Sequence, residues 1–165
     1  MRWSGRMEKT IERERRLILI VDDDPDISAF IKWILEDAGY DTALAGDGEA
    51  GIDRARALRP DLVVSGVMMP RIAGDEMTRQ IRADPEIGTM PVLLLTARST
   101  ARHKLEGLMA GADDYMTKPF DPQQLTARVG ATLAMTKESG YTRPLEGVEA
   151  SSDEAMAYLR GLEDS

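Results

Sequence analysis

Short apolar segments alternate along this chain with longer segments in which apolar residues recur every three or four positions. The segments at 16–21, 61–65 and 91–96 are nearly continuous in apolar residues, which is typical of strands buried on both faces of a parallel sheet. Shorter segments at 41–45 and 113–117 predict two further strands. The helical spacing predicts helices at about 25–38, 48–58, 75–83, 100–109 and 121–135.

The first predicted helix has recognisable signals at both ends. Asp24 is placed to cap it, with Pro25 in the first helical position, and Gly39 is placed to end it. Its buried stripe is predicted to contain Ile27, Phe30, Ile31, Ile34 and Leu35. Trp33 lies off this stripe, so we expect it to face solvent.

Strands that alternate with helices favour a parallel sheet with helices on both faces and right-handed connections. We expect one domain over residues 16–135, a charged N-terminal arm at 1–15 and an acidic C-terminal tail at 136–165. Within that tail, residues 152–162 fit either a short amphipathic helix or a frayed end.

The composition limits the functions open to this domain. The chain has 165 residues, no cysteine and a net charge of -8. The lack of cysteine excludes disulfides and thiolate metal sites and fits a cytoplasmic protein. The apolar runs are too short to span a membrane, and the charged N-terminus lacks the apolar core of a secretory signal. The acidic charge argues against general binding of nucleic acid.

Polar residues are predicted where three of the strands end. Asp22 and Asp23 follow the first strand, Thr96 ends the fourth and Lys118 follows the fifth. Ligands of parallel α/β sheets bind at this edge. Adjacent carboxylates suit a hard cation such as Mg²⁺, and a lysine and a hydroxyl suit the oxygens of a phosphoryl group. Taken alone, the acidic triplet at 22–24 also fits a helix cap with solvated neighbours.

Four segments carry a family resemblance. They are Ile-Leu-Ile-Val-Asp-Asp at 18–23, Asp-Leu-Val-Val-Ser-Gly-Val-Met-Met-Pro at 61–70, Leu-Leu-Leu-Thr-Ala at 93–97 and Gly-Ala-Asp-Asp-Tyr-Met-Thr-Lys-Pro-Phe at 111–120. In this order and spacing, they resemble the receiver domains of bacterial two-component response regulators over about residues 16–135. The resemblance implies a doubly wound five-stranded parallel sheet with the flavodoxin-like order 2-1-3-4-5.

The resemblance also implies roles for the edge residues. Asp22 and Asp23 would hold Mg²⁺ together with the backbone carbonyl of Met68. Thr96 would hydrogen-bond the phosphoryl group, with Tyr115 as the side chain that changes rotamer with it.

At the end of the fifth strand, the resemblance implies that Lys118 pairs with the phosphate. It further implies a cis peptide bond before Pro119.

The chain departs from the family pattern at Gly66, where the family has its phosphorylated aspartate. Glycine has no oxygen to attack a phosphodonor, so we expect no aspartyl phosphorylation at this position and a weakened Mg²⁺ site. Ala73 removes a second carboxylate from the same loop. With that charge missing, we expect Lys118 to pair directly with Asp22 or Asp23. This pairing would either mimic part of the phosphorylated arrangement or lock the resting one.

The sequence therefore predicts a non-enzymatic receiver module in a phosphorelay, which signals by binding a protein. That protein would be a histidine kinase, a phosphotransfer protein or a downstream effector. The binding face would be the first helix or the face formed by the last two strand–helix units. Trp33 on the first helix fits a docking anchor, because tryptophan is favoured at interface hot spots, and it also fits a chance surface aromatic. We expect no DNA-binding or enzymatic output domain, because the residues after 135 are few and acidic.

Three alternatives remain open from the sequence. Asp22, Asp23 or Thr96 would accept a phosphoryl group instead, or Gly66 is an engineered replacement in a phosphorylatable receiver. The third is a dinucleotide-binding enzyme, because Gly46-Asp47-Gly48-Glu49-Ala50-Gly51 matches G-x-G-x-x-G. Against this third alternative, Asp47 and Glu49 would repel a bound pyrophosphate, and receivers have a similar turn here.

Overall fold

The structure, a computed structural model, describes residues 15–97 and 100–138, with side chains described as far as 135. The predicted arm up to residue 14 and the predicted tail beyond 138, including its alternative helix at 152–162, lie outside the described residues. Within the described part of the chain, no helix is both long enough and apolar enough to cross a membrane.

Strands and helices alternate throughout the described residues. Their bounds are β1 Leu17–Val21, α1 Pro25–Asp37, β2 Asp41–Ala45, α2 Gly48–Leu58, β3 Leu62–Gly66, α3 Gly74–Ala83, β4 Val92–Thr96, α4 Ala101–Met109, β5 Asp114–Thr117 and α5 Pro122–Glu138. The strands are parallel and stand in the order β2-β1-β3-β4-β5. This order confirms the predicted doubly wound, flavodoxin-like α/β fold.

Successive residues of the central strands enter two different hydrophobic cores. In β1, Leu19 and Val21 pack with residues of α2 and α3, whereas Ile18 and Ile20 pack with residues of α1 and α5. All four side chains are fully buried. Because both faces of the sheet are covered, the strand is apolar at every position, as the sequence pattern indicated.

The N-terminus of α1 is set by the predicted cap. The Asp24 carboxylate accepts hydrogen bonds from the backbone N–H groups of Asp26 at 2.9 Å and Ile27 at 3.4 Å. At the other end, Gly39 has a φ of +98°, in the left-handed region that glycine occupies without steric cost. The cap holds Asp22 and Asp23 in the short turn between β1 and α1.

One prediction about the core was wrong. Phe30 was expected in the buried stripe of α1, but it is 43% exposed. The inward face of this helix is narrower, centred on Ile31, Ile34 and Leu35, and Phe30 lies at its edge against other aromatic rings. Met109 fits core spacing in α4, but it lies at the C-terminal end of that helix and is 56% exposed.

Candidate functional site

The carboxyl edge of the sheet gathers the residues that the sequence singled out. Asp22 lies directly after β1, where its backbone N–H donates to the Ala45 carbonyl at 3.1 Å. Its side chain is buried, whereas that of the neighbouring Asp23 is exposed. The two adjacent carboxylates therefore lie in different environments. Only that of Asp22 faces the interior of the pocket, by which we mean the region of this edge around Asp22, Gly66, Thr96 and Lys118.

Asp22 and Lys118 form an ion pair across this edge. The Lys118 Nζ lies 3.3 Å from the Asp22 Oδ2, and the two side chains are 22% and 5% exposed. The other carboxylate oxygen of Asp22 accepts a hydrogen bond from the Asp24 backbone N–H at 2.9 Å. Each oxygen of this buried carboxylate thus has a donor, as a buried charge requires.

Gly66 is the last residue of β3 and is buried beside this ion pair. A Cβ atom built on Gly66 would lie 2.9 Å from the Asp22 Oδ2, closer than real Cβ contacts come. The Asp22 carboxylate therefore occupies part of the space next to position 66. Any side chain introduced there requires the carboxylate to move.

The loop after β3 folds back onto Gly66 through a second glycine. The Gly74 backbone N–H donates to the Val67 carbonyl at 2.8 Å. A Cβ on Gly74 would lie 2.1 Å from the Gly66 carbonyl oxygen, so only glycine fits at position 74 in this arrangement. The backbone of β3 and the start of α3 are consequently held together directly beneath the pocket.

An open cleft of about 490 Å³ lies over this loop. Its lining combines two carboxylates with mainly apolar loop residues: Asp23, Val67, Met68, Met69, Pro70, Ala73 and Asp75. Met68 is 61% exposed, so the loop presents a largely apolar surface beside the acidic edge.

The side chains at the edge do not fit a metal ion in their present arrangement. The buried carboxylate of Asp22 is paired with Lys118, Asp23 is exposed, and Gly66 and Ala73 supply no side-chain oxygen. Over residues 15–97 and 100–138, no three or more His, Cys, Asp or Glu side chains come together as a metal-binding group. Mg²⁺ prefers six oxygen ligands in near-octahedral geometry. Weakened Mg²⁺ binding, with the Met68 carbonyl as a ligand, stays a prediction.

Thr96 and Tyr115 complete the inner side of the pocket. Thr96 is 3% exposed at the end of β4, and its carbonyl accepts the Lys118 backbone N–H at 2.7 Å. Tyr115 is 4% exposed and lies against Gly107 of α4. A Cβ on Gly107 would lie 2.7 Å from the tyrosine ring, so this glycine makes room for the buried ring. The Lys118–Pro119 peptide bond is cis, as the resemblance implied.

Three aromatic side chains form a continuous stack on the surface beside the pocket. The Phe30 ring lies 6.5 Å from that of Trp33 and 6.2 Å from that of Phe120. Trp33 is 62% exposed, as predicted, whereas the contribution of Phe30 and Phe120 was missed. We call Phe30, Trp33 and Phe120 the aromatic surface. The spacing of Phe30 one helical turn before Trp33 was the signal that could have revealed it.

The aromatic surface continues into an open, mostly apolar groove of about 420 Å³ between α1 and α5. Trp33 and Ala38 line one side of this groove, and Pro122 and Ala127 line the other. Phe120 follows Lys118 by two residues, so the aromatic surface is joined to the pocket by a very short piece of backbone.

Two of the three glycines in the Gly46–Gly51 motif have packing roles. A Cβ on Gly48 would lie 2.7 Å from the Ile72 carbonyl oxygen, and one on Gly51 would lie 2.9 Å from the Met77 sulfur. Asp47 caps α2 by accepting the Ala50 backbone N–H at 2.8 Å. Close packing of α2 therefore explains Gly48 and Gly51 without a dinucleotide.

This fold, with acidic residues, a threonine and a lysine at one edge of the sheet, is that of a signalling receiver domain. Residues 18–130 match the response regulator receiver domain family, and the chain belongs to this family. Receiver domains act in two-component signalling, where they interact with histidine kinases, phosphotransfer proteins or effector domains and typically bind Mg²⁺ at the phosphorylation site.

Similar proteins carry this domain in different contexts. The chain is 37% identical over 147 residues to the alkaline phosphatase synthesis transcriptional regulatory protein PhoP of Bacillus subtilis, covering 89% of this chain and 60% of PhoP. It is 44% identical over 119 residues to the DNA-binding dual master transcriptional regulator RpaA of Synechocystis, covering 72% of this chain and 49% of RpaA. The chain thus spans roughly half the length of these relatives.

Solved receiver structures agree with the fold. The signal receiver domain of a signal transduction histidine kinase from Syntrophus aciditrophicus is 36% identical, with a TM-score of 0.69 over 75% of this chain and 94% of that one. The chemotaxis response regulator CheY4 of Vibrio cholerae is 31% identical, with a TM-score of 0.68 over 72% of this chain and 98% of that one.

Proposed function

We propose that this receiver signals by binding a protein partner, without phosphorylation at the usual position in β3. Gly66 is the observation that carries the proposal, because it closes β3 in the pocket without a side-chain oxygen. A phosphoryl group needs a nucleophile at that place, in line with the bond to the donor's leaving group. Gly66 itself supplies none.

Other pocket residues are poorly placed to accept the phosphoryl group instead. Both oxygens of Asp22 already accept hydrogen bonds, one from Lys118 and one from the Asp24 backbone. Thr96 is 3% exposed, so its hydroxyl has little access to a phosphodonor. Phosphoryl transfer depends on in-line positioning, so displaced acceptors would react far more slowly.

The proposed docking site is the aromatic surface. Trp33 and Phe30 are 62% and 43% exposed and stack on one another, so they present a large apolar area whose side chains are already ordered. Ordered aromatic side chains lose little conformational entropy on binding, and tryptophan is favoured at interface hot spots. The partner would be a histidine kinase, a phosphotransfer protein or a downstream effector.

The absence of phosphorylation is tested by intact mass spectrometry. The protein and its Gly66→Asp variant are incubated with Mg²⁺ and a small-molecule phosphodonor under identical conditions. We expect the mass of one phosphoryl group to be added only to Gly66→Asp, because the remaining pocket residues are in place. A labelled parent protein would contradict the proposal, and mapping the label would then test Asp22, Asp23 and Thr96.

The docking site is tested by biolayer interferometry. The immobilised protein is screened against the histidine kinase, phosphotransfer and effector domains of its source organism, and the dissociation constant is then measured for Trp33→Ala. Loss of a central interface tryptophan is expected to weaken binding by about 2 kcal/mol or more. Met109→Ala removes another exposed apolar side chain, at the end of α4, and is expected to leave the affinity unchanged. Equal effects of both variants would place the interface elsewhere.

A second candidate function is that of a typical phosphorylatable receiver whose aspartate at position 66 has been replaced by glycine through engineering. The retention of Asp22, Thr96, Lys118 and the cis bond before Pro119 favours this candidate. If this candidate is right, phosphorylation of Gly66→Asp should change its affinity for the partner. If the protein is a dedicated phosphorylation-independent module, phosphorylated and unphosphorylated Gly66→Asp should bind the partner equally well.

A further inference from the structure

We infer that Lys118 acts as the cation of this pocket, taking the place that a divalent metal ion would hold beside Asp22. The receiver would then keep its buried carboxylate neutralised without metal. This goes beyond the proposed function, which concerns the missing acceptor and the docking surface.

Each carboxylate oxygen of Asp22 already has a donor. Its carboxylate is almost fully buried and is bound by the Lys118 ammonium on one oxygen and by a backbone N–H on the other. A buried carboxylate needs a compensating charge, and the ammonium supplies it. A metal ion binding to Asp22 Oδ2 would bring a second cation against the Lys118 ammonium on that oxygen.

If a metal ion bound Asp22, Lys118 would need another carboxylate to pair with. With an aspartate at position 66, the pocket would hold a second buried carboxylate, and a lysine could pair with it while a metal ion bound Asp22. Gly66 removes that option, and the Asp22 oxygen lies 2.9 Å from where a Cβ at 66 would stand. The Asp22 carboxylate thus lies beside the space that a side chain at 66 would occupy, with the Lys118 ammonium bound to the same oxygen.

The charge of Lys118 determines whether removing this side chain raises or lowers the affinity for metal. A metal ion and an ammonium compete for the same oxygen, and two cations in one small pocket repel each other. Removing the positive charge of Lys118 should therefore strengthen metal binding in this chain. If metal binding were weak only because the site has too few ligands, loss of Lys118 would leave it weak.

The inference is tested by isothermal titration of the parent, Lys118→Gln and Lys118→Met with MgCl₂ and with MnCl₂. The ionic strength is held constant with KCl, so that screening does not change during the titration. We expect both variants to bind at least about tenfold more tightly than the parent, because the competing charge is gone. The double variant Asp22→Asn/Lys118→Met has an uncharged pair and is expected to show no such gain.

Folding of the variants is followed in the same experiment. Lys118→Gln keeps a hydrogen-bond donor, whereas Lys118→Met leaves the buried Asp22 carboxylate without its ionic partner. Thermal denaturation with and without Mg²⁺ reports binding even for a destabilised variant, since a ligand of the folded state raises Tm.

The outcomes separate the inference from the proposed function. Gly66→Asp is expected to bind metal with Lys118 still present, because the lysine gains a second carboxylate. If Gly66→Asp gains affinity and both Lys118 variants gain none, ligand number controls the site and the inference is wrong. If the parent binds as tightly as the Lys118 variants and still takes up no phosphoryl group, the inference fails while the proposed function stands.

Discussion

Two buried ion pairs lie at opposite ends of the sheet, and they differ in how many partners hold them. At the amino ends of β4 and β5, the Arg82 Nη2 lies 3.0 Å from the Asp113 Oδ2, with side chains 15% and 1% exposed. At the carboxyl end, Lys118 and Asp22 lie 3.3 Å apart. Both pairs join distant parts of the chain.

The Arg82 pair is embedded in a dense network of hydrogen bonds. The guanidinium also donates to three backbone carbonyls, those of Gly88, Met90 and Gly111. The same oxygen of Asp113 accepts the Val92 backbone N–H at 2.8 Å. The planar guanidinium is suited to this many fixed partners. This pair is a structural clamp.

The Lys118 pair has a simpler geometry and lies beside the space left by Gly66. An ammonium is a compact charge on a flexible stem, so it can change partners more readily than a guanidinium fork. The comparison teaches that burial of an ion pair does not by itself distinguish a clamp from a functional site. The number of fixed partners and the space around the pair make that distinction.

Loss of the clamp should have the largest effect on stability. Arg82→Ala leaves Asp113 buried without its ionic partner and is expected to cost about 3–5 kcal/mol of the free energy of unfolding. Urea denaturation measures this cost. Arg79→Ala removes another arginine of α3, whose side chain is 51% exposed, and is expected to change stability by no more than about 0.5 kcal/mol. A similarly small loss for Arg82→Ala would mean that the clamp is not needed.

Tight packing at the pocket end is tested by Gly107→Ala. The added methyl group would lie 2.7 Å from the Tyr115 ring, and such overpacking is expected to cost about 1–3 kcal/mol despite the better helix propensity of alanine. Urea denaturation of Gly107→Ala, Tyr115→Ala and the double variant gives the coupling energy between the two sites. Additive losses would show that the ring does not meet the new methyl group.

The Lys118 pair should contribute less to stability than the clamp. Lys118→Gln removes the charge but keeps a donor, and the Lys118 side chain is partly exposed, so we expect a loss of about 1–2 kcal/mol. Lys104→Gln, at an exposed position in α4, provides the matched control in the same urea titrations. A loss as large as that of Arg82→Ala would remove the distinction between the two pairs.

The smallest effect is expected at a surface pair, Arg56 and Asp84. A hydrogen bond from Arg56, followed by one from the Glu86 backbone N–H, lowers the pKa of Asp84 below its usual value. A lowered pKa in the folded state stabilises the protein above the ordinary carboxyl pKa, and this stability is lost as the pH falls through the folded-state value. As the pH falls from neutral through and below the ordinary carboxyl pKa of about 4, Tm should therefore fall slightly more in the parent than in Arg56→Ala. Parallel curves would show that the pair contributes nothing.

Much of the fold could be predicted from the sequence, because its buried strands are apolar at successive positions and its helices have local caps such as Asp24. The resemblance supplied the strand order and the pocket residues. The missing carboxylate at Gly66 led to the prediction that Lys118 pairs with an aspartate, and the structure shows Asp22 as the partner.

The rest depends on contacts between distant residues, which no local pattern reveals. Arg82 looks like a solvent-facing helical arginine until the fold brings Asp113 beside it. Gly107 looks like an unfavourable helical glycine until the Tyr115 ring is placed. Phe30 fits a core position by spacing alone, and only the neighbouring Phe120 and Trp33 explain why it lies at the surface.

The central claim is that the pocket of this receiver takes up no phosphoryl group. NMR spectra of the backbone amides test this claim most directly. ¹H–¹⁵N spectra of the parent and of Gly66→Asp are recorded before and after addition of Mg²⁺ and a small-molecule phosphodonor at constant ionic strength. The account predicts unchanged parent resonances at Gly66, Thr96 and Lys118, and large shifts at the same positions in Gly66→Asp. Phosphodonor-dependent shifts in the parent that match those of the variant would contradict it.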